Sequence, residues 1–550
     1  MTETVARWTA EVAGMTCDSC ERHVTEAVRS VVGDTPEVSW RTGTASFDAD
    51  DADETNLAEA IAEAGYELRS LRRTGRLEVV GNDGNADCDL AIIGSGSAAF
   101  AAAIKATEAG ARVVMIEEGV PGGTCVNVGC VPSKSLLVAA DTHHRASQHG
   151  VAGVPHSTGG ADLAAIVAAK DGLVDALRQA KYVDLVNDYG FELRTGTARF
   201  LDAETIEVDG EPLTASNYLI ATGASPALPP IEGLASVDFL TSTTALDMKE
   251  LPRRLAVIGA NAIGLELGQA FLRLGSEVTF LDIADRIAPF EEPEISAALT
   301  DVLIAEGATL VTGAQIKQVS QSPDAVVRLE GDLRDLGSTI EVDQVLVATG
   351  RAPNTAELNL DAAGVSVDRR GFVEVDEHLR TSGPRVWAAG DVTDSPQFVY
   401  VSASEGAIVA DNAISGAGRA TDYRTLPRVT FTSPQIAAVG LTETQATDAG
   451  HDVVTSVLPL AHVPRAIVNG DTRGLIKLVA DASTDRLLGV HVLADGAGEV
   501  VQAGVYALMA GLTVTEIAGA FHPYLTMAEG LKLAAQTFNR DVAKLSCCAA

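Results

Sequence analysis

Two cysteines separated by four residues, Cys125 and Cys130, lie in the run Gly122-Gly123-Thr124-Cys125-Val126-Asn127-Val128-Gly129-Cys130-Val131-Pro132-Ser133-Lys134. The Ala-rich stretch from Lys134 to about Ala140 reads as helix, so the two thiols open one. At a helix N-terminus the unpaired amides and the macrodipole favour thiolate over thiol, and Lys134 adds positive charge nearby. That setting suits electron transfer through a reversible disulfide. The spacing alone also fits a structural disulfide or two buried thiols. Five further cysteines stand at 17, 20, 88, 547 and 548. Three close pairs and one singleton, an odd total, suit a reducing compartment with catalytic or metal-binding thiols better than a disulfide framework. Cys17 and Cys20 form a CxxC in a loop, where two thiolates can approach one soft metal ion from a solvent-facing position; a redox CxxC is the alternative. Cys88, just before a strand, reads as an inert thiol.

The reactive pair needs elements to hold it. Before it, a strand Asp89 to Ile93 runs into Gly94-Ser95-Gly96-Ser97-Ala98-Ala99, where Gly94 and Gly96 let backbone amides approach a pyrophosphate and Ala99 takes the third small position. The next strand, Arg112 to Ile116, ends in Glu117, about twenty residues on, where a ribose hydroxyl needs an acceptor. The pattern repeats at Leu255 to Gly264, with Gly259, Asn261 and Gly264 at the three turn positions; Asn stands for the middle glycine because it tolerates unusual backbone angles. There the second strand, Glu277 to Leu281, ends in Asp282, an acid that accepts from a ribose 2′-hydroxyl and repels a 2′-phosphate; Arg286 is the one nearby cation. Two mononucleotide units, one inserted in the other, make an internal repeat. Residues 1–72 form a separate βαββαβ, ferredoxin-like module, followed by a polar linker over 73–86 whose loop character begins near Arg69. Asp162 to Tyr189, carrying Tyr182, reads as a long amphipathic helix, and a short β-meander follows from Gly196 to Gly223. The remaining boundaries are 87–232 with 355–424, 233–354, and an α+β domain over 425–550.

Lys and Arg total 40 against 75 Asp and Glu, a formal charge of −35, which sets nucleic acid aside as a partner. The acid is spread along the chain, as expected for a halophilic protein whose salty cytoplasm screens self-repulsion. No apolar run reaches the ~18 residues of a membrane span, and the first residues lack the basic and apolar regions of a secretion signal, so a cytoplasmic location is expected.

The thirteen residues GGTCVNVGCVPSK resemble the flavin disulfide oxidoreductases, and the resemblance runs from about Asp87 to the C-terminus. It implies an α/β fold of two Rossmann-like domains, for FAD and NAD(P)H, plus an α+β dimerisation domain. FAD would meet Gly94, Gly96, Ala99, Glu117, Gly119, Thr124, Lys134, Ala198, Asp391 and Val399. The nicotinamide coenzyme would meet Gly259, Asn261, Gly264, Asp282 and Gly350. Glu266 would pair with Lys134 beside the flavin N5, with Cys130 as the flavin-side thiol and Cys125 the exposed one. GMTCDSC resembles heavy-metal-associated domains and implies Cys17 and Cys20 as ligands of Hg(II) or another soft ion.

Members acting on glutathione or lipoamide place a His five residues before a Glu near the C-terminus as an acid-base pair. Here the position before Glu529 is Tyr524, and His522 lies two residues too early. A phenol titrating near ~10 is a poor base at neutral pH, which disfavours an organic disulfide as substrate. The tail, YLTMAEGLKLAAQTF and then Cys547-Cys548, resembles the mercuric reductases. That likeness implies reduction of thiol-bound Hg(II), a homodimer in which one subunit's Cys547 and Cys548 hand metal to the other's Cys125 and Cys130, and Tyr182 and Tyr524 lining the metal site. Asp282 points to NADH, although these enzymes commonly use NADPH. The competing readings are a reductase of a small organic disulfide and a metal carrier without catalysis.

Overall fold

The computed structural model describes residues 6–15, 18–33, 35–40, 43–49, 54–73, 86–157 and 159–541. Cys17, Cys547 and Cys548 lie outside the described residues, as does most of the expected linker.

The N-terminal module is an antiparallel sheet ordered Glu37–Ser39, Thr44–Ala49, Ala6–Ala13, Glu67–Arg73, covered by helices Asp18–Val32 and Glu54–Glu63. Alternating Ala10, Val12, Ala45 and Phe47 meet Val24, Val28, Leu57 and Ile61 in one core. Two expectations need correction. The chain over Arg69–Arg73 is strand, because it pairs with Trp8–Glu11. Cys20 is not in a solvent-facing loop; it sits in the first turn of helix Asp18–Val32 and is buried, because that turn packs it into the module core.

In the first nucleotide unit a parallel sheet runs Glu192–Thr195, Val113–Glu117, Cys88–Ile93, Glu211–Ile220, with Val386–Ala388 on the far side. Both faces are covered, so the strands are apolar throughout. Leu90 and Ile92 face one core with Phe100 and Ala103, while Ala91 and Ile93 face another with Phe200 and Tyr218. The second unit repeats this with order Thr309–Thr312, Glu277–Asp282, Arg254–Ile258, Gln344–Val347. Leu255 and Val257 point one way, Ala256 and Ile258 the other. Each unit turns from strand to helix at a left-handed glycine, Gly94 (φ +108°) and Gly259 (φ +102°). A Cβ at either would lie 2.4 Å from the carbonyl oxygen of Ala221 or Ala348 on the neighbouring segment. Asn261 needs no special tolerance. Its backbone is extended (φ −115°, ψ −169°), close to Gly96 at the matching position (φ −78°, ψ −170°), and any residue adopts that conformation.

From Arg428 an antiparallel sheet, Arg428–Thr430, Gln435–Gly440, Leu487–Ala494, Leu475–Asp481, Val453–Pro459, packs on helices Ala497–Met509 and Glu529–Gln536. Buried ion pairs fasten it to the second nucleotide unit. Lys477, fully buried, donates to Glu292, Glu294 and Glu443 at 2.7–3.0 Å. Arg273 donates to Glu306, to the Ser433 carbonyl and to Asp141 on the helix that follows the reactive pair. Among the described residues no helix is long and apolar enough to cross a membrane.

Candidate active site

Cys125 and Cys130 do not share one helix start. Cys125 lies in a five-residue helix, Gly123–Asn127, and Cys130 opens the next, Cys130–Gln148. The break falls at Gly129, whose angles (φ −125°, ψ −115°) are not helical. The redox loop lies directly on the first dinucleotide turn: a Cβ on Gly123 would come within 2.5 Å of the Gly96 Cα. The motif's glycines therefore set the distance between thiols and cofactor turn.

No disulfide joins the two sulfurs. The Cys125 thiol donates a hydrogen bond to Cys130, and this bond, together with burial, pushes Cys125 far above the ordinary thiol range. The same hydrogen bond, with help from the Lys134 charge, draws Cys130 well below it against the opposing effect of burial. The arrangement favours negative charge on Cys130 over Cys125. Cys125 lies one turn from Gly122, against which the Tyr182 ring packs, a Gly122 Cβ being 3.3 Å from that ring. Lys134 Nζ donates to Glu266 at 2.7 Å and sits 4.6 Å from the centre of the Phe431 ring; the other Glu266 oxygen accepts from the Phe431 amide at 2.8 Å.

Iodoacetamide should therefore alkylate Cys130 in the reduced, flavin-free protein well below pH 8, where an ordinary thiol of pKa near ~8.5 is mostly protonated. Lys134→Gln should move that profile upward by removing the neighbouring positive charge. Cys88, 1% exposed and pushed by burial to about 12, should stay unlabelled. Mass spectrometry after timed labelling across pH checks this, and labelling of Cys125 ahead of Cys130 would contradict the assignment.

The surrounding residues fit the dinucleotide implied by the sequence. Glu117 accepts from Ser95 Oγ at 2.5 Å and from the Gly119 amide at 2.7 Å, which holds its carboxylate at the strand end beside the glycine turn. Burial pushes the Asp391 carboxyl up, with Arg351 Nε 3.5 Å away; that Nε is itself buried without a hydrogen-bond partner. A buried guanidinium Nε left without a hydrogen-bond partner beside a buried acid is what a polyhydroxyl chain can satisfy. Thr124 adjoins Cys125, Val399 begins helix Val399–Ser415, and Ala198 begins the buried-edge strand Ala198–Phe200. In the second unit Asp282 accepts from the Ala260 amide at 2.6 Å and the Ala284 amide at 2.8 Å, the counterpart of the Glu117 arrangement. Gly264 lies in the first turn of helix Ala262–Leu274, and Gly350 (φ +125°) makes the turn back towards the first unit.

Tyr182 sits in a π-helical turn, Gln179–Val183, edge-on to Phe100 at 4.9 Å. Burial and the neighbouring Cys125 push its phenol up, so it stays protonated at neutral pH. Tyr524 is exposed on the last domain. Two participants were invisible to sequence reasoning: Phe431, brought to Lys134 only by the fold, and Arg178, which donates to Asn127 between the two cysteines at 3.1 Å. Two others, Gln269 and Arg273, had a readable signal. Helix Ala262–Leu274 is apolar except for a buried stripe of Glu266, Gln269 and Arg273 at i, i+3 and i+7, which marks a polar contact face.

With this geometry established, comparisons with known proteins place the chain. The family described as pyridine nucleotide-disulphide oxidoreductase matches residues 88–406, its dimerisation domain matches 426–535, and the heavy-metal-associated domain matches 9–67. Mercuric reductase of Staphylococcus aureus is 50% identical over 541 residues, covering 98% of each chain. Mercuric reductase of Streptomyces lividans is 52% identical over 468 residues, covering 84% of this chain and 98% of its own. Among solved structures, the HOCl-induced flavoprotein disulfide reductase RclA from Escherichia coli superposes with a TM-score of 0.74 at 31% identity, covering 82% of this chain and 99% of that one.

Proposed function

The chain belongs to the pyridine nucleotide-disulphide oxidoreductases and, within them, to the mercuric reductases, and from that premise we infer that Cys125 and Cys130 are where it reduces thiol-bound Hg(II). The protein is a mercury(II) reductase: NAD(P)H and Hg(II) give NAD(P)+, a proton and Hg(0). FAD, when bound, supplies acceptance of hydride from the nicotinamide and return of two electrons. The chain's own residues do the rest. The observation that carries the reading is the pair of thiols itself, hydrogen-bonded to each other on the cofactor turn, with the Lys134 charge favouring negative charge on Cys130.

Hg(II) is soft and favours two thiolate ligands, so Cys125 and Cys130 can take it by ligand exchange without releasing the free ion. Tyr182, kept neutral, offers an O–H beside Cys125 and no competing charge. Tyr524 lines the same site from the other subunit of a homodimer, whose tail, Cys547 and Cys548, delivers the metal. The dimer is supported by the dimerisation-domain match and by Tyr506, Met509, Phe521 and Tyr524, large side chains left exposed on that domain. The charge of −35 supports work in a salty cytoplasm.

NAD(P)H oxidation with HgCl2 in excess thiol, oxidised glutathione and lipoamide as alternative acceptors tests the function. Turnover should be confined to Hg(II); rapid turnover of an organic disulfide with none on Hg(II) would overturn it.

NADH should be the better coenzyme. Asp282 keeps a lone pair on each carboxylate oxygen after its two backbone bonds, so it can accept from a 2′-hydroxyl, and it repels a 2′-phosphate. Ile283 beside it is 78% exposed and uncharged, and Arg286 is turned to the Pro289 carbonyl at 2.8 Å. A hydrogen bond to a charged group is worth roughly 1.5–3 kcal/mol, or about one to two powers of ten in kcat/KM. The check is kcat/KM for both coenzymes in wild type and Asp282→Ala. A wild-type preference for NADPH that the substitution leaves unchanged would show that Asp282 does not read the ribose.

A further inference from the structure

Helix Leu163–Arg178 ends one residue before the π turn that carries Tyr182, and its last residue reaches the redox loop. Arg178 Nη1 donates to Asn127 Oδ1 at 3.1 Å, while its other terminal nitrogen is held by Asp175 one turn back. Asn127 passes the restraint on. Its Nδ2 donates to the carbonyls of Gly123, Pro121 and Val120 at 2.9, 3.1 and 3.4 Å, which span the start of the Cys125 helix and the chain entering it. A five-residue helix is too short to hold its own shape, so these side-chain bonds fix its carbonyls. On the other side of the same loop the Tyr182 ring packs on Gly122 and edge-on to Phe100. Two separate contacts therefore tie one loop to one helix, and the widened π turn between them sets where the phenol falls; such turns recur at functional sites.

We propose that Arg178 and Asn127 are positioning residues: together they clamp the redox loop to the tyrosine-bearing helix, so that Cys125 is held at one spacing from both Cys130 and Tyr182. Every hydrogen bond described for the two side chains is to protein, Arg178 to Asn127 and Asp175, Asn127 to the carbonyls of Gly123, Pro121 and Val120. The spacing matters twice. Oxidation of the thiol–thiolate pair forms one S–S bond and releases the Cys125 proton and two electrons, and it requires the sulfurs at bonding distance. A metal held between thiols tolerates little looseness if Tyr182 is to exclude further ligands. The second consequence rests on the mercuric reductase reading; the first does not.

The test uses the full-length FAD-loaded protein as wild type, Arg178→Gln, Arg178→Lys, Asn127→Ala and the double variant Asn127→Ala/Arg178→Gln. Equilibration with a dithiothreitol redox couple measures how readily Cys125–Cys130 closes, each exchange making one disulfide and breaking the other. Arg178→Gln should shift that equilibrium about tenfold towards the open dithiol, and should lower kcat for thiol-bound Hg(II) by about tenfold with KM little changed, since misplacement of a reacting group is felt in the chemical step. Flavin content and NADH:ferricyanide turnover should stay at wild-type level. Arg178→Lys, which can still donate to Asn127, should recover most of both effects, and the double variant should be no worse than the single ones, as expected for residues acting through one contact. An unchanged exchange equilibrium in Arg178→Gln overturns the clamp, as does parallel loss of flavin and ferricyanide activity, which would make Arg178 merely structural. Wild-type protein that closes the disulfide normally yet shows no Hg(II) turnover would instead defeat the mercury reading and leave the exchange arm decisive for the clamp.

Discussion

Replacing either Cys125 or Cys130 with serine is expected to lower Hg(II) turnover by on the order of a thousandfold or more while FAD stays bound. Serine is nearly isosteric, so the loop should keep its place on the Gly96 turn. Its hydroxyl cannot form the disulfide and is a poor ligand for a soft metal. The two variants should fail differently. In Cys125→Ser the hydrogen-bond donor to Cys130 becomes a hydroxyl and Lys134 remains, so the lone thiolate at 130 persists at neutral pH. In Cys130→Ser no charge is left for the Cys125 proton to bond, and the remaining thiol should titrate in the range of an ordinary buried one. Steady-state Hg(II) reduction, flavin content and thiol titration measure these outcomes together. Near-normal turnover in Cys130→Ser would count against its assignment as the reactive thiolate.

Arg273→Met should destabilise the folded protein by about 3–5 kcal/mol, the usual consequence of leaving a buried charge without its partner. The Arg273 side chain is 2% exposed and that of Glu306 is 5%, and removing the guanidinium strands Glu306 and frees Asp141 on the redox helix. The pH dependence has a definite sign. Burial raises the Glu306 carboxyl, but hydrogen bonds and charge from Arg273, with Gln269 and Arg473, more than offset it, so the folded-state pKa lies below the unfolded one. This stabilisation is complete above the ordinary carboxylate pKa of 4.5 and is lost as pH falls through the lowered folded value. In Arg273→Met burial should dominate, and the contribution should reverse. Urea midpoints at neutral and mildly acidic pH test this; a midpoint unchanged at pH 7 would show that Arg473 alone suffices for Glu306.

The parts of this site that were legible in the sequence are those encoded by local pattern. Strands buried on both faces appear as unbroken apolar runs such as Leu90 to Ile93; in each unit the first ends in a glycine turn and the next in an acid, so both nucleotide units were legible in the sequence. The reactive thiols and Lys134 were legible because their chemistry lies in their types and spacing. What was not legible depends on residues far apart in the chain. Glu266 meets Lys134 across 132 residues and Phe431 across 165, and only a family likeness suggested the first. Asn127 reads as an ordinary loop residue until Arg178 is brought to it. The break at Gly129 was missed because a glycine between helical residues does not reveal its angles. Asn261 was given the right place for the wrong reason, since the middle turn position is extended in both units. Cys20 was expected at the surface because a CxxC motif does not reveal which side of its helix packs inward.

The most direct measurement is volatilised Hg(0) collected from anaerobic full-length protein supplied with NADH and thiol-bound Hg(II), with coenzyme oxidation followed in the same vessel. Two electrons from each coenzyme reduce one ion, so one Hg(0) should leave for each NADH consumed, and both should stop in Cys125→Ser and Cys130→Ser. Coenzyme oxidation without release of Hg(0), or release that survives the loss of both thiols, would contradict the assignment of mercury reduction to this pair.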